Sequence, residues 1–185
     1  MKLRCANCGE ENPDRARYCM ACTAPLAATP REEIRRTVTI VFADLVGSTA
    51  IGERLDPEAL RAIQARYFDA LRGALEAHGG VVEKYIGDAV MAVFGLGRAH
   101  EDDALRAVRA ADEMRGRLAG LNESLVALEV ELHVRIGVNT GDVVAGDPSL
   151  RQRLVTGDAV NVAARLEQAA GRDEVLLGQR TVALV

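Results

Sequence analysis

Apolar residues recur along most of this chain in two rhythms, and their alternation predicts an order of elements. Thr37–Ala43 is a continuous β-branched and apolar run that stops at Asp44, the pattern of a buried strand. Gly47-Ser48-Thr49 opens a helical stretch, and Asp56-Pro57 supplies an N-cap followed by proline at the first helical position. From there Leu60, Ile63, Tyr67, Leu71 and Leu75 return every three or four residues until His78-Gly79-Gly80 ends the stripe. Val81–Ile86 and Ala89–Phe94 read as two strands joined at Gly87-Asp88. A second amphipathic helix is expected from near Glu101, carrying Leu105, Val108, Met114, Leu118 and Leu121. Leu128–Val138 alternates as a strand, Val143–Ala145 as a short one, and Asp158 caps a helix reaching about Ala170. Glu174–Leu177 begins another strand. The order β-α-β-β-α-β predicts an α+β, ferredoxin-like split βαβ domain over 37–185.

Composition narrows the class. The 185 residues are 49% hydrophobic and 27% charged, too apolar for a disordered acidic chain, and the net charge of −4 opposes non-specific nucleic-acid binding. No apolar run approaches the ~20 residues of a membrane span and no signal-peptide core follows Met1, so the cytoplasm is the expected compartment. Of the 23 basic residues only Lys2 and Lys84 are lysines. A chain that writes arginine elsewhere and keeps Lys84 in its interior points to a need for an ammonium there.

All four cysteines lie at the amino end. Cys5-Ala-Asn-Cys8 and Cys19-Met-Ala-Cys22 are two Cys-x-x-Cys knuckles ten residues apart. Each knuckle aims two thiolates at one metal, and two knuckles complete the tetrahedral sulfur set that one structural Zn²⁺ prefers. A unit of about 25 residues cannot fold on a core alone, so the metal would supply its folding energy. Disulfides need an export context, and a redox pair a thioredoxin-like helix, and neither is evident. Residues 1–25 resemble the short zinc ribbons that open many bacterial proteins, through Cys8-Gly9-Glu10-Glu11-Asn12-Pro13. They depart from that pattern at Thr23, where glycine usually follows the last cysteine. Lys2, Arg4, Arg15 and Arg17 are offset by Glu10, Glu11 and Asp14, which favours protein docking over nucleic-acid binding. Residues 26–36 read as a linker of small residues, prolines and charges.

The chemistry-bearing candidates sit at the junctions of the main domain. Asp44, at the end of the first strand, precedes Val46-Gly47-Ser48-Thr49, a strand–loop–helix junction offering backbone N–H groups to phosphates. Asp88 lies in the hairpin turn, whose strands neighbour the first strand in a βαββ sheet. The two carboxylates can therefore converge on one edge and hold Mg²⁺ or Mn²⁺ against a triphosphate. Taken singly, each has a plainer explanation as an N-cap or a turn residue.

Four blocks together resemble the class III nucleotidyl cyclase catalytic domain. They are Phe42–Thr49, Glu83–Phe94, Arg135–Gly141 and Gly157–Glu167, in that order. The resemblance implies conversion of ATP to cyclic AMP and pyrophosphate in bacterial signal transduction, with two Mg²⁺ or Mn²⁺ per site held by Asp44 and Asp88. It assigns ribose positioning and transition-state stabilisation to Asn161 and Arg165, whose four-residue spacing puts both on one helix face. Lys84 falls on the purine-selecting position, where lysine suits the N1 acceptor of adenine. Its usual partner, seven residues before Asn161, is Leu154 here, which cannot hydrogen-bond and weakens discrimination against GTP. The resemblance also implies a head-to-tail homodimer in which the aspartate pair and the Lys–Asn–Arg set of one site come from different subunits, and it expects further strands beyond Val185.

Three other readings compete with an active enzyme. A silent nucleotide-binding regulatory module is opposed by the intact polar positions other than Leu154. A diguanylate cyclase or polymerase-like palm would need a Gly-Gly-Asp/Glu-Glu-Phe hairpin, where this chain has Ile86-Gly87-Asp88-Ala89. A nucleic-acid-binding ribbon would show salt-dependent binding.

Overall fold

The computed structural model describes residues 2–26, 34–146 and 155–185; Leu154 and residues 27–33 of the expected linker lie outside them. The chain divides into two compact units, 1–33 and 34–185.

The smaller unit is built on a two-stranded antiparallel sheet, β1 (Lys2–Arg4) with β2 (Glu11–Pro13). Its two knuckles are backbone copies of each other. Gly9 N–H donates to Cys5 O (2.9 Å) and Thr23 N–H donates to Cys19 O (2.9 Å). Both closing residues are left-handed, Gly9 at φ 80° and Thr23 at φ 57°.

The larger unit runs β3 (Ile34–Val46), α1 (Ser48–Arg54), α2 (Pro57–Ala77), β4 (Val81–Ile86), β5 (Ala89–Phe94), α3 (Asp103–Glu123), β6 (His133–Ala145), β7 (Val155–Thr156), α4 (Asp158–Ala169), β8 (Val175–Leu177) and α5 (Gln179–Val182). Its sheet order is β4-β5-β3-β6-β7, antiparallel throughout, with β8 added parallel to β6. The first, second, third and fourth long strands thus lie in the order 4-1-3-2 of the expected split βαβ fold.

Strand alternation sorts the core into two layers. Val41, Ala43 and Leu45 of β3 face α2 and α3, joining Tyr67, Leu71, Leu75 and Met114. Val38, Ile40 and Phe42 face the other way, toward Ala159 and Ala163 of α4. The α2 stripe forms as its spacing predicts, and the Asp56 side chain accepts a hydrogen bond from Ala59 N–H at 2.8 Å.

Several boundaries differ from expectation. The first strand starts at Ile34, so residues 34–36 pair with Val143–Ala145 instead of linking. It also continues two residues past Asp44, because β6 accompanies it to Val46. Leu128–Val138 is not one strand: Val126–Leu128 is a 3-10 turn and β6 begins at His133. From there β6 runs unbroken through Asn139-Thr140-Gly141, where polarity had predicted an interruption. These buried polar groups are bonded: Asn139 Nδ2 donates to Ala159 O (3.0 Å), and the Thr140 hydroxyl meets those of Thr39 (2.9 Å) and Thr181 (3.0 Å). The second long helix begins at Asp103 instead of near Glu101, and Gly157, not Asp158, stands at the N-cap of α4.

Candidate active site and metal centre

In the smaller unit the four thiol sulfurs all lie within 4.8 Å of one another. Cys5 Sγ is 3.7 Å from Cys22 Sγ, and Cys8 Sγ is 3.5 Å from Cys19 Sγ. A tetrahedron with metal–sulfur bonds of ~2.3 Å has edges of ~3.8 Å, so the set fits a Zn²⁺-sized ion, and these spacings far exceed a covalent S–S bond. The surroundings favour thiolate at Cys19 and Cys22, whereas at Cys8 the Glu10 backbone N–H is outweighed by hydrogen bonds with Cys22 and Cys19, which push that thiol up to about 12. The Cys22 backbone N–H, aided by that of Ala21 and by Asn12, brings Cys19 down to about 6 against the effect of burial. The Asn7 amide, with the Ala24 N–H, lowers Cys22. Asn12 is buried, donating toward Cys19 Sγ and accepting from Met20 N–H at 2.8 Å.

In the larger unit the sheet register assembles the acidic cluster. Ala43 pairs with Val90 across β3 and β5, which brings the Gly87-Asp88 turn alongside Asp44. Gly87 turns the hairpin at φ 63°. Asp44 and Asp88 lie within side-chain hydrogen-bonding reach. Burial raises the Asp44 carboxyl above its ordinary range; the Arg135 hydrogen bond opposes that shift and the charge of Asp88 adds to it. Two adjoining carboxylates of this kind form an oxygen donor set that suits Mg²⁺ or Mn²⁺.

Two residues that were not singled out as site candidates complete the cluster. Arg135 is the direct cross-strand partner of Asp44, and its Nε and Nη2 both donate to Asp44 Oδ2, at 3.1 and 2.5 Å. Glu167 of α4 forms an ion pair with the same guanidinium, its Oε1 2.5 Å from Nε, and that oxygen accepts no hydrogen bond among the described residues. Nearby, Tyr67 is fully buried and its hydroxyl has no hydrogen-bond partner among the described residues. Burial first, then the charges of Asp44, Asp88 and Glu167, hold that phenol well above its ordinary range. Three carboxylates against one guanidinium leave the cluster short of positive charge, which a bound cation would make good.

The signal for Glu167 was present in the chain. Ala159, Ala163 and Glu167 follow at i, i+4 and i+8, so a carboxylate stands on the small, inward face of α4. That face is pressed onto glycine: a Cβ on Gly137 would meet Ala163 O and Glu167 N at 2.3 Å, and one on Gly141 would meet Ala159 Cβ at 2.6 Å. Asn161 and Arg165 occupy the opposite face and are exposed. They are not brought to Asp44 and Asp88 within this chain. Lys84 is exposed on β4, the outermost strand of the main path, opposite Met91. Val46 is the last residue of β3 instead of a loop residue, Gly47 turns the chain at φ 73°, and Ser48 and Thr49 enter the seven-residue α1. Among the described residues no helix is long and apolar enough to cross a membrane.

Comparison with known proteins agrees with this geometry. A family model described as the adenylate and guanylate cyclase catalytic domain matches residues 31–185, and a zinc-ribbon domain model matches residues 4–26. Adenylate cyclase 1 of Rhizobium meliloti (strain 1021) is 35% identical over 137 residues, which are 72% of this chain and 21% of that protein. Adenylate cyclase of Anabaena cylindrica is 34% identical over 139 residues, 71% of this chain and 27% of that protein. The chain thus spans about a quarter of the length of these relatives. Among solved structures, the adenylyl cyclase CyaB from P. aeruginosa superposes with a TM-score of 0.77 at 31% identity, covering 83% of this chain and 82% of that one. The guanylyl cyclase Cya2 does so with 0.76 at 31% identity, covering 82% and 79%. The chain belongs to the adenylate and guanylate cyclase catalytic-domain family and carries a zinc-ribbon domain ahead of that domain.

Proposed function

We propose that this nucleotidyl cyclase domain converts ATP to cyclic AMP and pyrophosphate. The observation that carries the reading is the meeting of Asp44 and Asp88 at one sheet edge, in a domain of this family. The ribose 3′-oxygen bonds to the α-phosphorus, the bond from that phosphorus to the bridging oxygen breaks, pyrophosphate leaves, and the hydroxyl proton is released. Two bound Mg²⁺ or Mn²⁺ ions would acidify the 3′-hydroxyl and screen the triphosphate. Asp44 and Asp88 supply the oxygen ligands for them, and the backbone around Val46, Gly47, Ser48 and Thr49, just past Asp44, lies where it can receive phosphate oxygens.

Asn161 orients the ribose and Arg165 meets charge developing on the phosphate. Because α4 turns its inner face toward Asp44, its Asn161 and Arg165 serve the site of a second copy, and two copies joined head to tail make two sites. Lys84 donates to adenine N1. Leu154 supplies no second contact, so selection against GTP is modest. We place the reaction in the cytoplasm, where its substrate is held. In the amino-terminal unit Cys5, Cys8, Cys19 and Cys22 bind one structural Zn²⁺, and the ribbon serves as a protein-docking module.

Mn²⁺-supported turnover of ATP and GTP, measured in parallel on the full chain and on Asp44→Ala, tests the reading. We expect cyclic AMP in excess of cyclic GMP and a loss of at least about a hundredfold in the variant. Equal product from both proteins would refute the assignment.

A further inference from the structure

The arrangement around Arg135 carries information about Asp44 that the aspartate pair alone does not. An arginine facing a carboxylate ordinarily engages both oxygens with a pair of parallel N–H bonds. Here Nε and Nη2 both converge on Oδ2, and Asp44 Oδ1 receives no bond from Arg135. Glu167 flanks the guanidinium, its Oε1 2.5 Å from Nε as an ion pair that makes no hydrogen bond among the described residues. Glu167 cannot easily leave: its side chain is 7% exposed, and its backbone is seated on Gly137. A carboxylate so buried requires a charged partner, and Arg135 is placed to be it.

The charges are uneven as well. Asp44, Asp88 and Glu167 set three carboxylates against one guanidinium, a deficit of two positive charges when all are ionised, which one divalent ion makes good. If Arg135 were free to close on both oxygens of Asp44, it would compete with that ion for the same ligand atoms.

We infer that Glu167 is a positioning residue for the metal half-site, holding Arg135 to one oxygen of Asp44 and reserving the other, Oδ1, for a divalent cation. The inference rests on the reading of Asp44 as a metal ligand. It also means that α4, which presents Asn161 and Arg165 on its outer face, is tied through its inner face to the acidic cluster. A shift of α4 would alter both.

The test is Mn²⁺ binding to the full chain without nucleotide, followed by loss of the free-ion electron paramagnetic resonance signal. It is run on the wild type, Glu167→Gln, Arg135→Gln, the double variant and Asp44→Asn. Glu167→Gln keeps the shape and removes the hold on Arg135. Mn²⁺ affinity is expected to fall about tenfold, and adding Glu167→Gln to Arg135→Gln is expected to change it little. Unchanged affinity in Glu167→Gln overturns the inference. So does an equal loss in both backgrounds, which would mean that Glu167 acts through its own charge and not through Arg135. Should Glu167→Gln fail to fold, Glu167→Asp keeps the charge but draws it back by one methylene, and wild-type affinity there would overturn the proposal equally. Asp44→Asn separates the layers. If it leaves Mn²⁺ binding intact, the reading of Asp44 fails; if it abolishes binding while Glu167→Gln does not weaken it, only the role of Glu167 fails.

Discussion

Thr23 holds in the second knuckle the place that Gly9 holds in the first, and both backbones are left-handed. A side chain with a branched β-carbon pays about 1–2 kcal/mol there, and glycine does not. Thr23→Gly is therefore expected to stabilise the ribbon by about 1 kcal/mol, seen as a higher chelator concentration needed to strip its metal. Lys84 makes the matching case in the larger unit. Its exposure on an edge strand fits solubility as well as base recognition, and kinetics distinguish the two. Lys84→Glu is expected to lower the ATP-to-GTP ratio of kcat/KM by about tenfold or more, whereas an unchanged ratio would leave it a surface lysine. Arg135 belongs to the Arg135–Gly141 block, but its role depends on register. Nothing in the chain order says that it stands opposite Asp44 until β3 and β6 are aligned.

Among the elements, α4 is placed by what β6 lacks. Gly137 and Gly141 leave room for the helix backbone, and a methyl group on Gly137 would strike backbone atoms that cannot turn aside. Gly137→Ala should cost about 1–3 kcal/mol in unfolding and reduce cyclase activity together with it, as measured by thermal melting and turnover. The α2–α3 pairing offers a pH test. Glu113 on α3 accepts from Arg117 and meets His78 at the end of α2 (2.7 Å), and both hold its carboxyl below 4.5, Arg117 the more strongly. A carboxylate lowered in the folded state adds stability that is full above its unfolded value and is lost as pH falls through the folded value. The melting-point advantage of wild type over Glu113→Gln should thus be present above pH 4.5 and shrink on acidification below it. The long helices and the β4–β5 hairpin were legible because their periodicity is uninterrupted and their turns carry Gly or an Asp-Pro cap. The full length of β6 was not, since Asn139 and Thr140 look like a break until their partners on α4, β3 and α5 are known.

The molecule as a whole combines a zinc-ribbon unit of some two dozen residues with an α+β cyclase domain, and the two are built on different physics. The larger unit has two apolar layers; the smaller relies on four sulfurs around one point. Removing the metal with a chelator should melt residues 2–26 while leaving the helical circular dichroism of 34–185 in place. The candidate site divides in a comparable way. Its acidic half is complete within one chain, while Asn161 and Arg165 face outward from it, a division that four-residue spacing on α4 already implied but that only the packing of Ala159, Ala163 and Glu167 oriented. Mixing two inactive variants measures this directly. Asp44→Ala and Asn161→Ala proteins, each near zero alone, should together regain about a quarter of wild-type cyclic AMP formation, because half of the dimers then hold one intact site of two. No recovery on mixing, with the wild type active and the variants shown to exchange subunits, would contradict a site shared between copies.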